Sequence, residues 1–358
     1  MNLNRGPTVL VTGGGAPGIV GTLYALRKNP DKSQVRVIAC DMRDEVIGKY
    51  LADGFYKIPS AEDPDFVGAL LSIAEREHVD VVLPQVTREL LPLSKERDRF
   101  QTRGIAIALA TREAIQRAND KYLLVEAARS CGVPHPRSIL TRSEKELVEA
   151  AKSLGYPKEK VVAKPRVSNG MRGLRIVCEE LWDVQRFLTE KPDSVEIRLE
   201  ELVAILRRGR WPELIVQEYL PGPEYTIDVF RGQASAVAVP RLREEIRSGI
   251  TFRARIEMRE DLKEFALSLA EELGLRYAFG FQFKLSKEGI PKVLECNPRV
   301  QGTMVAAVFA GCNVIWYAVK EAIGETVTVT KSMLNDGVEF IRYWGGIAID
   351  EGRKLGSI

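Results

Sequence analysis

Between Phe279 and Arg299 the chain spells out two strands and a turn. Phe279-Gly280-Phe281-Gln282-Phe283-Lys284-Leu285 alternates bulky apolar residues with small or polar ones. Ile290-Pro291-Lys292-Val293-Leu294-Glu295-Cys296-Asn297 resumes the alternation after Ser-Lys-Glu-Gly. A period of two marks strands buried on one face, and Lys-Glu-Gly is turn chemistry. With the turn at Glu288-Gly289, Gln282 lies opposite Glu295, and Asn297 follows on the same face of the pleat. That face carries three oxygen donors and Lys284, whereas Phe281, Phe283, Leu285, Leu294 and Cys296 point into a core. One carboxylate between two amide oxygens suits Mg²⁺, a hard cation that completes its shell with water and phosphate oxygens. Arg299, just beyond, offers a fork for a phosphate. Two readings are open at this point: a cation site, or a half-exposed hairpin with a polar outer face.

Several classes fall away on composition. A chain of 358 residues calls for two or three domains, and 45% hydrophobic with 28% charged residues is the balance of a soluble globular protein. A net charge of +3 does not suggest nucleic acid or an acidic membrane surface as a partner. No apolar run reaches the length of a bilayer span, and the N-terminus lacks the apolar core of a signal peptide. Cys40, Cys131, Cys178, Cys296 and Cys312 are scattered singly, which suggests reduced thiols and a cytoplasmic setting. With only two histidines, His78 and His135, a zinc site or a histidine-centred triad has almost no material.

The N-terminal third reads as strand and helix in alternation. Thr8–Thr12 is a buried strand, Gly13-Gly14-Gly15-Ala16-Pro17-Gly18 a glycine turn, and a helix opens at Ile19. Val35–Cys40 ends in an acid, Asp41. This spacing matches a dinucleotide fingerprint, though Pro17 is foreign to it, and a Rossmann-like turn without a dinucleotide reads the same way. Asp63-Pro64 reads as a cap and first residue for a helix with Phe66, Val67, Leu70, Leu71 and Ala74 on its apolar stripe. Strands at Val79–Pro84 and Gly104–Leu109 complete a parallel sheet. The loop Gln85–Glu89 lies at a strand's carboxyl end, where open sheets bind ligands, and reads first as a solvated loop.

Further on, Asn119-Asp120-Lys121 begins a helix, with Lys121 reading as a surface lysine in its first turn. Ser143-Glu144-Lys145-Glu146 is a capping box for a helix closed by Gly155. Val161–Pro165 is a strand ending on Lys164, Arg166–Gly173 a loop of small residues, and Leu174–Val177 a returning strand. A plain hairpin with a long loop fits this pattern. So does a flap whose backbone N–H groups and lysine close over a polyphosphate. Glu213–Leu220, Pro221-Gly222-Pro223 and Glu224–Asp228 read as strand, break and strand. Edge backbone groups from Glu218 through Tyr219 to Leu220 could pair with an adenine, and Glu224 could accept a ribose hydroxyl. Five arginines crowd Arg241–Arg255, and such loops hold phosphate or carboxylate. Asp261–Leu273 is an amphipathic helix, and Thr326–Ile349 alternates as two strands.

In this order the parts resemble the ATP-grasp superfamily, and within it the carbamoyl-phosphate-synthase large-subunit-like ligases, over essentially the whole length. The carriers are Asn119-Asp120-Lys121, Val161–Gly173, Gln217-Glu218-Tyr219-Leu220 with Glu224, Gln282, and Glu295-Cys296-Asn297-Pro298-Arg299. The fold this resemblance implies is α/β with α+β lobes, an ATP-grasp fold behind an N-terminal Rossmann-like (pre-ATP-grasp) domain. The expected division is residues 1–115 for that domain, 116–220 for a small lobe with the phosphate flap, and 221–358 for a large lobe with the metal.

The resemblance also implies roles. Lys121 and Lys164 contact ATP phosphates, and Ser168, Gly170 and Gly173 belong to the flap above them. Glu218, Tyr219 and Leu220 meet the adenine, with Glu224 on the ribose. Gln282, Glu295 and Asn297 hold Mg²⁺ (or Mn²⁺), and Arg299, with Lys164, serves the transferred phosphoryl group. The implied activity is ADP-forming ligation: ATP phosphorylates a carboxylate, and an amine or similar nucleophile attacks the acyl phosphate. Such chemistry asks for positioning and charge neutralisation and needs no histidine. Bicarbonate or carbamate as acceptor is one alternative, and a non-catalytic nucleotide- or NAD(P)-binding protein is another. The chain shows one ATP-grasp unit, no glutaminase-like segment and no biotin carrier. The expected partners are a small carboxylate and an amine, without nucleic acid or membrane, and the family implies a homodimer. Substrate-facing residues are expected at Gly13–Gly18, Gln85–Glu89, Arg241–Gly249 and Arg299–Thr303.

Overall fold

The computed structural model describes residues 5–180, 183–190, 195–329 and 334–357. Where the sequence suggests three parts, the chain divides into two compact units. Unit one comprises Met1–Arg117, Glu224–Gln282 and Cys296–Ile358, and unit two comprises Ala118–Pro223 with Phe283–Glu295.

Unit one opens with a parallel sheet of β1 (Arg5–Val11), β2 (Gln34–Asp41), β3 (Gly54–Lys57), β4 (Val81–Leu83) and β5 (Ala106–Ile107), in the order β3-β2-β1-β4-β5. The sequence suggests four strands. The edge strand β3 is short and lacks the aliphatic run that marks the others. Val9, Val11, Val37, Val81 and Leu83 are buried against Ile19, Leu23 and Leu26 of the helix Ile19–Arg27. Full burial of each such side chain contributes roughly 1.5–3 kcal/mol. The helix Phe66–Arg76 starts two residues later than Asp63-Pro64 suggests, with Asp65 at its N-cap. Asp63 Oδ1 instead accepts from the N–H of Asp65 at 2.9 Å, a side-chain turn that precedes the helix.

Unit two is built on β6 (Ser138–Thr141), β7 (Val161–Pro165), β8 (Arg175–Val177), β9 (Glu196–Ile197) and β10 (Leu214–Glu218), in the order β6-β10-β7-β8-β9. β10 runs antiparallel to both β6 and β7. The helices Glu144–Ser153 and Leu199–Leu206 lay Leu147, Ala151, Leu202 and Val203 onto Val161, Ala163, Val177 and Val216. Ser143 caps its helix by accepting from the N–H of Glu146 at 3.3 Å. The Glu146 carboxylate reaches back to the N–H of Arg142 at 2.6 Å, one residue before the expected partner.

The large sheet contains β11 (Glu224–Arg231), β12 (Ala236–Arg247), β13 (Ile250–Ile256), β14 (Tyr277–Leu285), β15 (Pro291–Asn297) and β16 (Glu339–Ile341), in the order β15-β14-β11-β12-β13-β16. β17 (Ile347–Asp350) and β18 (Arg353–Ser357) form a separate antiparallel pair. The two strands expected in Thr326–Ile349 correspond to β16 and β17, and residues 330–333 of that stretch lie outside the described residues.

The hairpin of β14 and β15 closes differently from the two-residue turn at Glu288-Gly289. Ser286 N–H donates to Ile290 O at 2.9 Å and Gly289 N–H to Ser286 O at 3.0 Å, so Lys287, Glu288 and Gly289 form a three-residue loop. Gly289 takes φ +79° there, a conformation that glycine adopts without cost. The alternation also breaks once in β15. Leu294 and Glu295 are both half-buried while Val293 and Cys296 are buried, so Leu294 is not the core residue its spacing suggests.

Candidate functional site

Unit two gathers two buried lysines at the foot of the glycine-containing loop. Asp120 caps the helix Lys121–Ser130, accepting from the N–H groups of Tyr122 and Leu123 at 2.9 and 3.2 Å. Asp120 also takes Arg166 Nε at 2.7 Å, which ties the helix start to the end of β7. Lys121 is therefore aimed inward. It is 5% exposed, and its Nζ donates to Ser168 O at 2.9 Å and Ser168 Oγ at 3.1 Å. Burial holds its pKa below the usual lysine value, against the opposing pull of the Glu295 and Asp120 carboxylates. Lys164, also 5% exposed, donates to Leu294 O at 3.2 Å, one residue from Glu295. Lys121, Lys164, Ser168 and Glu295 thus share one polar centre. Beyond it, Gly170, Met171 and Gly173 all take positive φ, and most of the loop is exposed. Backbone turned this way presents successive N–H groups to an anion.

Glu218 ends β10 and is held by cations. Its carboxylate accepts from Lys292 Nζ at 2.5 Å, from Arg137 Nε at 3.1 Å and from the Arg137 N–H at 3.0 Å. Burial pulls its pKa up, but these donors outweigh burial and leave it lowered. Among the described residues no backbone hydrogen bond holds the N–H of Leu220, the next buried residue, so it remains an edge donor. The Tyr219 ring between them faces Lys284 at 5.3 Å and Lys160 at 6.0 Å. Lys292 is a partner that sequence spacing gave no means to find.

Unit one holds Gln282, half-buried on β14, and Asn297, at the end of β15. Asn297 Oδ1 accepts from Arg299 Nη2 at 3.1 Å. Arg299 also reaches Val300 O at 2.9 Å and Thr87 Oγ1 at 3.1 Å. Arg299 is thereby seated beside the loop after β4. Glu224 pairs with Arg243, which is buried and also donates to Thr251 Oγ1 at 2.8 Å and Gly249 O at 2.7 Å.

The loop Gln85–Glu89 is not the solvated loop its composition suggests. Gln85 and Glu89 are each 6% exposed. Thr12 Oγ1 donates to Glu89 and accepts from the Gln85 N–H at 3.0 Å, while Thr22 Oγ1 donates to Gln85 Oε1 at 2.6 Å. Burial pushes the Glu89 carboxyl up to about 8, with the Asp41 charge adding to it and the Thr12 bond opposing. The Asp41 oxygens accept from the Gly15 N–H of the glycine turn at 2.7 Å and from the Arg43 N–H of its own turn at 2.9 Å. The acid that a dinucleotide ribose would need is committed elsewhere. Gly18 has a steric reason to be glycine, since a Cβ there would lie 2.8 Å from Gly302 Cα.

Comparison with known proteins bears on this arrangement. Residues 9–108 match a family described as the PylC-like N-terminal domain. Residues 210–340 match one described as ATP-grasp in the biosynthetic pathway with Ter operon. The arginine-specific carbamoyl phosphate synthase large chain of Halalkalibacterium halodurans is 24% identical over 280 residues, covering 74% of this chain and 24% of its own. The carbamoyl phosphate synthase large chain of Clostridium acetobutylicum is 23% identical over 275 residues, covering 73% and 24%. The chain thus spans about a quarter of the length of these relatives. Among solved structures, N5-carboxyaminoimidazole synthetase from Staphylococcus aureus in complex with ADP superposes with TM-score 0.66 at 18% identity, over 91% of this chain and 79% of that one. Biotin carboxylase from Campylobacter jejuni in complex with β-γ-ATP gives 0.70 at 17%, over 93% and 74%. The biotin carboxylase domain dimer of Hydrogenobacter thermophilus 2-oxoglutarate carboxylase, with MgADP and bicarbonate, gives 0.69 at 17%, over 93% and 73%. At these identities the structures speak for the fold.

Proposed function

The chain carries an ATP-grasp domain behind a PylC-like N-terminal domain, and on that premise we propose that it is an ADP-forming carboxylate–amine ligase. The observation that carries the reading is the pair of buried ammonium groups, Lys121 and Lys164, gathered with Glu295 at the foot of a loop rich in positive φ. Burying a lysine is costly; the Glu295 and Asp120 carboxylates offset part of that cost at Lys121, and a polyphosphate would supply further oxygens to both ammonium groups. In this reading Lys121 and Lys164 hold phosphate oxygens, Ser168, Gly170 and Gly173 close above them, and Leu220 N–H with the Glu218 and Tyr219 backbone receives the adenine. Glu224 is assigned to the ribose, with Arg243 orienting its carboxylate.

The oxygen donors Glu295, Asn297 and Gln282 are assigned to Mg²⁺, which when bound would neutralise charge on the phosphates. An acceptor carboxylate oxygen attacks the γ-phosphorus as the bond to the bridging oxygen breaks, and ADP leaves. A carboxylate would have to expel oxide, whereas the acyl phosphate expels phosphate. An amine then attacks the acyl carbon, phosphate departs, and the amine gives up a proton. Arg299 meets the transferred phosphoryl group, and Asn297 fixes its guanidinium. The flap excludes water, which would hydrolyse the acyl phosphate.

ADP release from Mg-ATP tests this, with pooled amino and hydroxy acids set against bicarbonate plus ammonium. ADP with the organic pool alone supports the ligase. ADP with bicarbonate alone moves the chain to the carboxyphosphate branch, whose relatives include the carbamoyl phosphate synthases, and no ADP with either overturns the proposal.

A further inference from the structure

Within unit one, the amino ends of β1, β2 and β4 do not close against the helix Val314–Ala322. Between them lies a cleft of about 790 Å³, a size common among ligand sites. β1 runs from Arg5 to Val11, so the cleft sits roughly 20 Å from the glycine turn at the sheet's other end. None of its residues belongs to the nucleotide or metal set.

The walls are fixed by bonds already made. Asp31 accepts from Trp316 Nε1 at 2.7 Å and from Lys320 Nζ at 2.8 Å, and Glu325 lies 3.3 Å from the same ammonium. Asn29 clamps the turn before β2, accepting from the Ser33 N–H at 2.9 Å and donating to Ser33 O at 2.8 Å. Asp80 Oδ2 accepts from the Thr8 N–H at 2.7 Å. What remains uncommitted is one charge of each sign. Lys32 and His78 are exposed in the cleft, and among the described residues neither side chain makes a hydrogen bond or ion pair. The same holds for the second oxygen of Asp80 and for the Ser33 hydroxyl. A Cβ on Gly6 would lie 2.4 Å from that hydroxyl, so glycine there leaves it room.

Both Lys32 and His78 sit on backbone that glycine adopts more readily, with φ +54° and +51°. His78 directly follows Glu77, the C-cap of the helix Phe66–Arg76, where glycine is the usual residue. Residues held in this conformation gather at functional sites, and here two of them line one cleft with their side chains uncommitted. A simple anion in the cleft would meet the carboxylates of Asp31, Asp80 and Glu325, and a simple cation would meet Lys32 and Lys320. A ligand bearing both charges can match each to its opposite. β2 and β4 flank β1, so Lys32-Ser33 and His78-Asp80 stand two strand spacings apart, roughly 10 Å. An α-amino acid carries both charges on one carbon, whereas a dipeptide separates them by a peptide unit and matches that span better.

We propose that this cleft is a second binding site, for a zwitterion of dipeptide size. Lys32 and Ser33 take its carboxylate, and Asp80, beside His78, takes its ammonium. The proposal does not depend on the ligase reading.

Calorimetric titration of the whole chain tests it with alanyl dipeptides of alanine, leucine, glutamate and lysine. Each is set against its N-acetyl form, which lacks the ammonium, and its C-terminal amide, which lacks the carboxylate. At least one dipeptide should bind about tenfold or more tighter than either blocked form. Lys32→Gly should erase the preference over the amide. Asp80→Asn, which keeps an acceptor for the Thr8 N–H, should erase the preference over the acetyl form. Lys32→Gly and His78→Gly should melt no lower than the parent chain, since glycine relieves the backbone, so binding lost in them reports on the ligand seat. No binding of any dipeptide, blocked forms binding as tightly, or preferences that survive both charge substitutions overturn the proposal. A dipeptide held elsewhere on the chain would give the last of these results. Because no nucleotide is present, failure of the ligase reading leaves the test intact.

Discussion

Glu89 gives the clearest pH signature at the scale of single residues. Its carboxyl titrates near 8 in the folded chain against 4.5 for a free glutamate side chain. Below 4.5 both states carry the proton, so the stabilisation is complete. Between 4.5 and about 8 the unfolded chain loses the proton while the folded one keeps it, so stability falls as pH rises, by about 1.4 kcal/mol per unit at most. Denaturant midpoints measured across that window should decline, and Glu89→Gln, which is neutral throughout, should flatten the decline. An unchanged slope in the variant would show that Glu89 is not its source. Glu295→Ala should abolish ADP release and, because its charge opposes the burial of Lys121, should also lower the melting temperature. Wild-type turnover would remove Glu295 from the metal set. Lys164→Ala should raise the ATP concentration needed for half-maximal rate, and an unchanged value would count against the flap. These residues were legible to different degrees. Glu295-x-Asn297-x-Arg299 stood out because its chemistry lies in consecutive residues. Glu89 and Lys121 looked like surface groups, since burial by distant segments leaves no mark on local spacing. The Glu218–Lys292 pair spans 74 residues and was invisible for the same reason.

At the scale of elements, the loop Arg166–Gly173 shows how backbone conformation limits substitution. Gly173 has φ +76°, and a Cβ there would lie 2.5 Å from Pro165 Cγ. Gly173→Ala must strain the backbone and push β7 at the point where Lys164 projects. The expected cost is about 1 kcal/mol or more, accompanied by weaker MgADP binding. Calorimetry on the variant checks this, and unaltered affinity would show that the loop's geometry does not matter to nucleotide. Strands and helices with long aliphatic runs were legible, and so was the order of strand, loop and strand around Lys164. Short edges were not. Gly54–Lys57 pairs only through β2, with Ala39 beside Phe55 and Cys40 beside Tyr56, and nothing local demands it. The turn at Lys287-Glu288-Gly289 differed by one residue from the two-residue form because a glycine in the left-handed region serves either geometry.

For the whole molecule, the division into units assigns the tip of the β14–β15 hairpin, Phe283–Glu295, to the unit built mostly from Ala118–Pro223. That tip is bonded there at several points. Gly222 N–H donates to Leu285 O at 3.0 Å, Leu285 N–H to Pro223 O at 3.0 Å, and Val293 N–H to Pro134 O at 3.0 Å. It also supplies Lys292 to Glu218. A fragment of residues 118–223 should therefore lack a cooperative thermal transition, and joining residues 283–295 to it through a short flexible linker should restore one. A sharp transition in the shorter fragment would show the tip to be dispensable. The same arrangement sets a timetable during synthesis. Residues 118–223 leave the ribosome with Pro134, Gly222 and Pro223 short of their hydrogen-bonding partners and with Glu218 lacking its lysine. They must then wait through the emergence of residues 224–282, which belong to the other unit. At the usual pace of translation, roughly 5–20 residues per second, that wait lasts several seconds, during which a nascent-chain chaperone has an unfinished unit to guard.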